Sequence, residues 1–92
     1  MNAIHPGRIL KRELQARALS GNKLALALRV PAGRIIQILN GQRGISAETA
    51  LRLAQFFGNA PQFWMNLQIR YELTTAEQRI GEKIRSEVSQ AA

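Results

Sequence analysis

The sequence predicts an all-α fold, with a domain of five short helices followed by an amphipathic helix at the C-terminal end. Apolar residues recur at the i, i+3, i+4 spacing of amphipathic helices, and no stretch alternates in the manner of a strand. Capping and helix-breaking residues then set the bounds. We expect helices at about residues 6–17, 21–28, 31–39, 47–57 and 61–71 in a domain of residues 1–73, and a C-terminal helix within residues 74–92.

The first helix should begin at the HPG segment of residues 5–7, because a proline at the first helical position costs no hydrogen bond. Ile9, Leu10 and Leu14 form its inward stripe. His5 is the single histidine of the chain. We expect it to serve the start of the helix, since a metal site needs a cluster of ligands and neither a second histidine nor a cysteine is present.

Residues 20–41 are expected to form two short helices joined by a tight turn, which is a helix-turn-helix. Ser20 is a good N-cap for the first helix. Pro31 separates the two helices, because it lacks an amide donor and keeps Val30 out of the helical conformation, and it suits the first position of the second helix. The buried stripes consist of Leu24, Ala25 and Leu28 in the first helix, and of Ile35, Ile38 and Leu39 in the second.

The fourth and fifth helices follow a loop at residues 41–44. Ser46 caps the fourth helix and Gly58 ends it. The inward stripe of the fourth helix is expected at Ala50, Leu51, Ala54 and Phe57. Pro61 opens the fifth helix. A core of five short helices is small for the aromatic face of that helix, so we expect part of this face to contact a second copy of the chain through Phe63, Trp64, Leu67 and Tyr71.

The last segment opens with two overlapping capping boxes, Thr74 with Glu77 and Thr75 with Gln78. Capping boxes predict the start of a new helix after residue 73. A narrow apolar stripe follows at the spacing i, i+4, i+8, formed by Ile80, Ile84 and Val88. Such a stripe needs a surface to cover, either on the same subunit or on a partner.

Charge is distributed unevenly along the chain, which carries 13 lysines and arginines against 6 acidic residues, a net charge of +7. The charges of residues 74–92 sum to zero, so the whole excess of positive charge lies in residues 1–73. A basic domain favours a polyanionic partner, and solubility alone is the alternative. The sequence lacks cysteine, an apolar run of 18 residues and a signal peptide, which favours a cytoplasmic protein without a membrane partner. Neither a carboxylate pair nor a phosphate-binding motif is evident, so we expect no enzyme activity and no cofactor.

The order of elements resembles the HigA (VapI-like) family of bacterial antitoxins, within the Xre and phage-repressor class of helix-turn-helix proteins. The resemblance covers about residues 5–77. It rests on HPGRILKREL at 5–14, NG at 40–41 with RGIS just beyond it at 43–46, ETALRLAQFFG at 48–58 and PQFWMNLQ at 61–68. It implies a five-helix phage-repressor-like domain, a homodimer, and double-stranded operator DNA as a partner. It also implies a HigB-like toxin that cleaves messenger RNA, which residues 74–92 could contact instead of a dimer partner.

Two departures from the family pattern lie in the motif itself. Arg29 stands where the family usually has glycine at the turn, so a left-handed backbone there should cost about 1 kcal/mol. Gly33 replaces a small polar residue early in the second motif helix, which removes a side chain that could touch bases and lets the backbone approach DNA.

The resemblance implies that the second motif helix lies in the major groove of DNA. Gln37 could bridge N6 and N7 of adenine, and Arg34 could bind O6 and N7 of guanine or a phosphate. Ile36 could contact thymine methyl groups. The residues expected to face the groove are Ala32, Gly33, Arg34, Ile36 and Gln37, with Asn40 as a further candidate. The alternative is that the polar members only form a solvated helix face.

Phosphates should be held at the start of the first motif helix, where amide groups at the N-terminus favour an anion. The residues expected there are Gly21, Asn22 and Lys23. The loop residues Gln42 and Arg43 are the other expected clamp. Arg43, between two glycines, could reach a phosphate or the minor groove, and the alternative is that it is an ordinary loop charge.

Three functions are compatible with this reading. The first is a sequence-specific DNA-binding antitoxin that represses its own operon as a dimer and neutralises its toxin. The second is a stand-alone Xre-type regulator without a toxin. The third is a protein-binding module that uses the motif helices for docking, which the concentration of charge in residues 1–73 disfavours.

Overall fold

The computed structural model describes residues 2–91, so Met1 and Ala92, the outer ends of the two expected segments, lie outside the described residues. Within this range the chain forms five helices and no strand, which confirms the expected all-α fold. The helices are α1 (Pro6–Ala16), α2 (Gly21–Leu28), α3 (Ala32–Leu39), α4 (Ala47–Phe57) and α5 (Pro61–Glu87).

The prediction of separate helices at 61–71 and 74–92 is wrong, because α5 runs without interruption for 27 residues. No proline or glycine stands between Tyr71 and Thr75, and the residues around them favour a helix. The capping-box pattern therefore falls inside the helix, where the backbone groups that it would cap already have partners. At 1.5 Å per residue α5 is about 40 Å long, and it gives the molecule an extent of 52 Å along its longest axis.

Side-chain caps start three of the helices, as the sequence predicts. Nδ1 of His5 accepts a hydrogen bond of 2.9 Å from the amide of Gly7. The hydroxyl of Ser20 accepts one of 3.1 Å from the amide of Lys23, and that of Ser46 one of 3.3 Å from Thr49. The turn between α2 and α3 is also as expected, with Arg29 left-handed at φ 59° and ψ 47°. Pro31 differs slightly, since it is the N-cap of α3 and not its first residue.

One core joins α1 to α4 and the first part of α5. Its buried apolar residues are Leu10, Leu14, Leu24, Ala25, Leu28, Ile35, Ile38, Ile45, Ala50, Leu53, Ala54 and Trp64.

Two sequence predictions about this core need correction. Leu51 was expected on the inward stripe of α4 but is 60% exposed, whereas Leu53 is fully buried. The stripe continues from Ala50 at i+3, so the residue directly after Ala50 is rotated away from the core. Trp64 was expected at a dimer contact, but its ring is 0% exposed and its Nε1 donates a hydrogen bond of 3.1 Å to Asn59. Trp64 therefore belongs to the core of its own protomer.

No helix in residues 2–91 is both long enough and apolar enough to cross a membrane.

Candidate nucleic-acid interface

The helix α3 is held against the core by one face and exposes the other. Ile35 and Ile38 are fully buried, while Ala32, Gly33, Ile36 and Gln37 are exposed. Four of the five residues that the sequence predicts to face outward are therefore exposed, and the fifth, Arg34, is half-buried.

The N-terminal turn of α3 carries no bulky side chain. A Cβ added at Gly33 would have no atom within 4 Å, so this end of the helix faces open space. Small residues here leave the backbone of α3 free to approach a groove closely.

The start of α2 rests on the end of α3. A Cβ at Gly21 would lie 2.9 Å from Cδ1 of Leu39 and 3.1 Å from Cδ1 of Ile36, so glycine allows the close approach. The first-turn amides of Gly21 and Asn22 have no partner within a helix. The amide of Lys23 is already bonded to the hydroxyl of Ser20. Lys23 can therefore contribute only its side chain to the predicted phosphate site.

Arg34 is tethered to α4 by an ion-pair network that the sequence did not predict. Its Nη1 lies 3.7 Å from Oε2 of Glu48, and Nε of Arg52 donates a hydrogen bond of 3.0 Å to the same oxygen. The bond from Arg52, followed by the charges of Arg34 and Arg52, lowers the pKa of Glu48. Arg52 also donates a hydrogen bond of 2.9 Å to the carbonyl of Leu28, which fixes the carboxylate relative to α2. Arg34 is consequently less exposed than its neighbours on the outward face.

Gln37 and Arg43, both predicted site residues, are bonded to each other. Nε of Arg43 donates a hydrogen bond of 2.9 Å to Oε1 of Gln37. The loop of residues 41–44 brings them together, since the amide of Gln42 bonds the carbonyl of Gln37 at 2.8 Å and Gly41 adopts a positive φ of 75°.

Two residues outside the predicted site anchor this loop. The amide of Ile45 donates a buried hydrogen bond of 2.8 Å to Oε1 of Gln68 on α5. A hydrogen bond joins the His5 side chain to the backbone of Arg43. Sequence reasoning missed both contacts, although Gln68 carried a signal. It follows the buried Trp64 by four residues, so it lies on the inward face of α5, where a polar group needs a partner.

Three comparisons identify proteins similar to this chain. A helix-turn-helix family profile matches residues 10–64. Over 79 residues the chain is 52% identical to virulence-associated protein I of Dichelobacter nodosus, an alignment that covers 85% of this chain and 73% of that protein. An addiction module antidote protein of the HigA family from Coxiella burnetii superposes with a TM-score of 0.96 and 49% identity, covering 99% of this chain and 100% of that one. Pseudomonas aeruginosa antitoxin HigA, solved with the higBA promoter, gives a TM-score of 0.96 and 43% identity over 99% and 100% of the two chains.

The chain belongs to the HigA family of helix-turn-helix proteins. The helix-turn-helix profile ends at residue 64, near the start of α5, whereas the HigA structures align over 99% of the chain. The long α5 is thus a feature that this chain shares with those HigA structures. Among residues 2–91 of this HigA-family chain, no three histidines, cysteines or acidic residues are grouped so that they could hold a metal ion.

Proposed function

We propose that this chain is a cytoplasmic, sequence-specific DNA-binding antitoxin, which represses its own operon as a homodimer and neutralises a HigB-like toxin that cleaves messenger RNA. The observation that carries the proposal is the exposed face of α3, fixed on a fully buried stripe within the segment that holds all of the net charge of +7. The HigA protein of Pseudomonas aeruginosa, 43% identical, has been solved with the higBA promoter, which supports a DNA partner here.

In the proposed complex α3 lies in the major groove, with Arg34, Ile36 and Gln37 facing base edges. Ala32 and Gly33 let the start of the helix approach the floor of the groove. Phosphates are held by the first-turn amides of Gly21 and Asn22 and by the side chains of Lys23 and Arg43.

The proposed dimer contact lies along α5. An apolar stripe follows α5 at spacings of four or seven residues and is formed by Ile69, Leu73, Ile80 and Ile84, which are between 37% and 67% exposed. The exposed C-cap residue Val88 lies just beyond the end of this stripe. From the face predicted by sequence, Phe63 is 43% exposed and can extend this contact, whereas Leu67 and Tyr71 are half-buried in the protomer. A row of exposed apolar side chains along one helix of a small domain is typical of an interface.

The DNA-binding part is tested by fluorescence anisotropy with the promoter upstream of the gene and a shuffled duplex of equal length. We expect the promoter to bind about 10³-fold more tightly or better at moderate salt, with log affinity falling by about 0.9 per phosphate contact for each unit of log salt. Lys23→Ala should weaken both duplexes alike, because a phosphate contact carries no sequence information. Equal affinity of the wild type for both duplexes would contradict sequence-specific binding.

The dimer is tested by light scattering coupled to size exclusion. Leu73→Glu places a charge in the middle of the apolar stripe and should yield a monomer. Leu26→Glu is the matched control, because Leu26 is 78% exposed on α2, away from the stripe. A monomeric wild type, or a Leu73→Glu variant that stays dimeric, would contradict this interface.

The toxin partner is tested by co-expression with the neighbouring open reading frame. If that frame encodes the toxin, its expression alone should arrest growth and co-expression of this chain should restore it. Growth that is unaffected by the neighbouring frame would instead favour the stand-alone regulator.

A further inference from the structure

The hydrogen bond between Gln37 and Arg43 fixes which end of the Gln37 amide faces the solvent. A guanidinium carries only N–H donors, so the amide atom opposite Nε of Arg43 has to be the carbonyl oxygen. The contact agrees with this requirement, since Nε of Arg43 lies 2.9 Å from Oε1 of Gln37. The amide nitrogen of Gln37, with its two N–H donors, is then the end that remains for other partners.

The backbone at Arg43 is itself fixed, so this bond connects two rigid elements. The amide of Ile45 is bonded to Gln68, and a Cβ at Gly44 would lie 2.8 Å from the amide of the same side chain. The hydrogen bond from His5 holds the loop from the side of α1. The loop therefore has little freedom to carry Arg43 away from α3.

We propose that Arg43 is a positioning residue for base recognition, which binds Oε1 of Gln37 and thereby directs the amide nitrogen towards the bases. This inference rests on the proposed DNA-binding function. It uses only Nε of Arg43, so the role in specificity through Gln37 is additional to the phosphate contact proposed above for the same side chain.

The orientation also selects a different base from the one expected on sequence. Adenine is read by a glutamine amide that offers its oxygen to N6 and its nitrogen to N7. With the oxygen turned towards Arg43, the end of Gln37 that faces the bases is the NH₂ group with its two donors. Guanine presents two acceptors, O6 and N7, on the same groove edge. The base that faces Gln37 in the preferred half-site should therefore be guanine, and adenine should be disfavoured.

The test is a selection from a duplex library with randomised half-sites, performed with wild type and four variants. Gln37→Ala identifies the base position that Gln37 reads. At that position the wild type should prefer guanine over adenine by about ten-fold. Arg43→Ala should reduce this preference to about two-fold or less and leave the other positions unchanged. In the Gln37→Ala background, the Arg43→Ala substitution should have no further effect on base preference.

Arg43→Lys is the control for charge. It keeps the positive charge but replaces the planar fork by a flexible ammonium group, so the salt dependence of binding should persist while the guanine preference falls. A readout without DNA is the exchange of the Arg43 Nε proton in NMR spectra, which should be slowed in the wild type and accelerated in Gln37→Ala.

The outcomes separate failure of the inference from failure of the proposed function. A wild type that selects no sequence overturns both. A wild type that selects a site with adenine opposite Gln37 overturns the inference alone. The inference alone is also overturned if Arg43→Ala weakens binding to all sequences equally and leaves the base preference intact, because Arg43 is then only a phosphate contact. A third result that overturns the inference is an Arg43 Nε proton that exchanges equally fast in the wild type and in Gln37→Ala.

Discussion

The packing of α1 against α3 depends on the absence of a side chain at Gly7. A Cβ at this position would lie 1.9 Å from the carbonyl oxygen of Ile38 and 2.9 Å from its carbonyl carbon. Real Cβ atoms essentially never come closer than 3.0 Å to such atoms. Gly7→Ala therefore has to separate the two helices by about 1 Å, and no rotamer change relieves the clash because the obstacle is backbone within a close-packed core.

The expected cost of Gly7→Ala lies at the upper end of the range for overpacking, about 3 kcal/mol, since a backbone and not a flexible side chain has to move. In a domain of this size such a loss lowers Tm by about 12–24 °C. The free energy of unfolding of a chain of this length is about 5–14 kcal/mol, so the variant should still fold at room temperature.

Thermal unfolding followed by circular dichroism tests this expectation, with Gly33→Ala as the matched control. Gly33 is also a helical glycine, but a Cβ there meets no atom within 4 Å. Because Gly33 is the second residue of α3, alanine should stabilise the helix by less than the interior value of about 0.5–1 kcal/mol, and it should not destabilise the protein. The reasoning is refuted if Gly7→Ala melts within about 2 °C of the wild type, because the two helices would then not approach as closely as described.

Three further predictions concern Arg29, Glu48 and His5. Arg29→Gly should raise the free energy of unfolding by about 1 kcal/mol, because glycine adopts the left-handed backbone at this position without strain. Chemical denaturation measures this free energy, and a loss of stability in the variant would contradict the prediction. Glu48→Gln should increase the affinity for duplex DNA in anisotropy titrations, because it removes a negative charge beside α3 and releases Arg34. Weaker binding would contradict this prediction and show that the ion pair orients Arg34 for DNA binding. Burial lowers the pKa of His5 below 6.5, so the unfolded chain takes up the proton first as the pH falls. Stability should then be complete above about pH 6.5 and decline towards the folded-state pKa, and His5→Asn, which keeps a capping acceptor, should flatten this dependence in pH-resolved melts.

Local signals explain why most helix starts could be predicted. Ser20, Ser46 and the proline after His5 act within one helical turn, so their effect can be read from neighbouring residues alone. The prediction fails where a local capping pattern lies inside a longer stretch of residues that favours a helix. Thr74 and Thr75 resemble a helix start, but the helix that precedes them contains no breaker and continues through them.

The exposed face of α3 could be predicted by elimination, because Ile35 and Ile38 fix which side of the helix is buried. The contacts that orient the polar side chains of α3 could not be predicted, because they connect α3 with α4 and with the loop of residues 41–44. Glu48 is 14 residues from Arg34 along the chain, and no local pattern brings them together.

These contacts bear on how the proposed DNA interface would achieve specificity. Ordering a free polar side chain on binding costs about 0.5–1.5 kcal/mol, and Gln37 is already hydrogen-bonded to Arg43, which lies outside α3. Part of that cost is therefore met when the protein folds. Since α3 begins with Ala32 and Gly33, few side chains remain to read bases, and the orientation of each one matters more. A substitution at Arg43, outside α3, should thus alter base preference as strongly as a substitution within that helix.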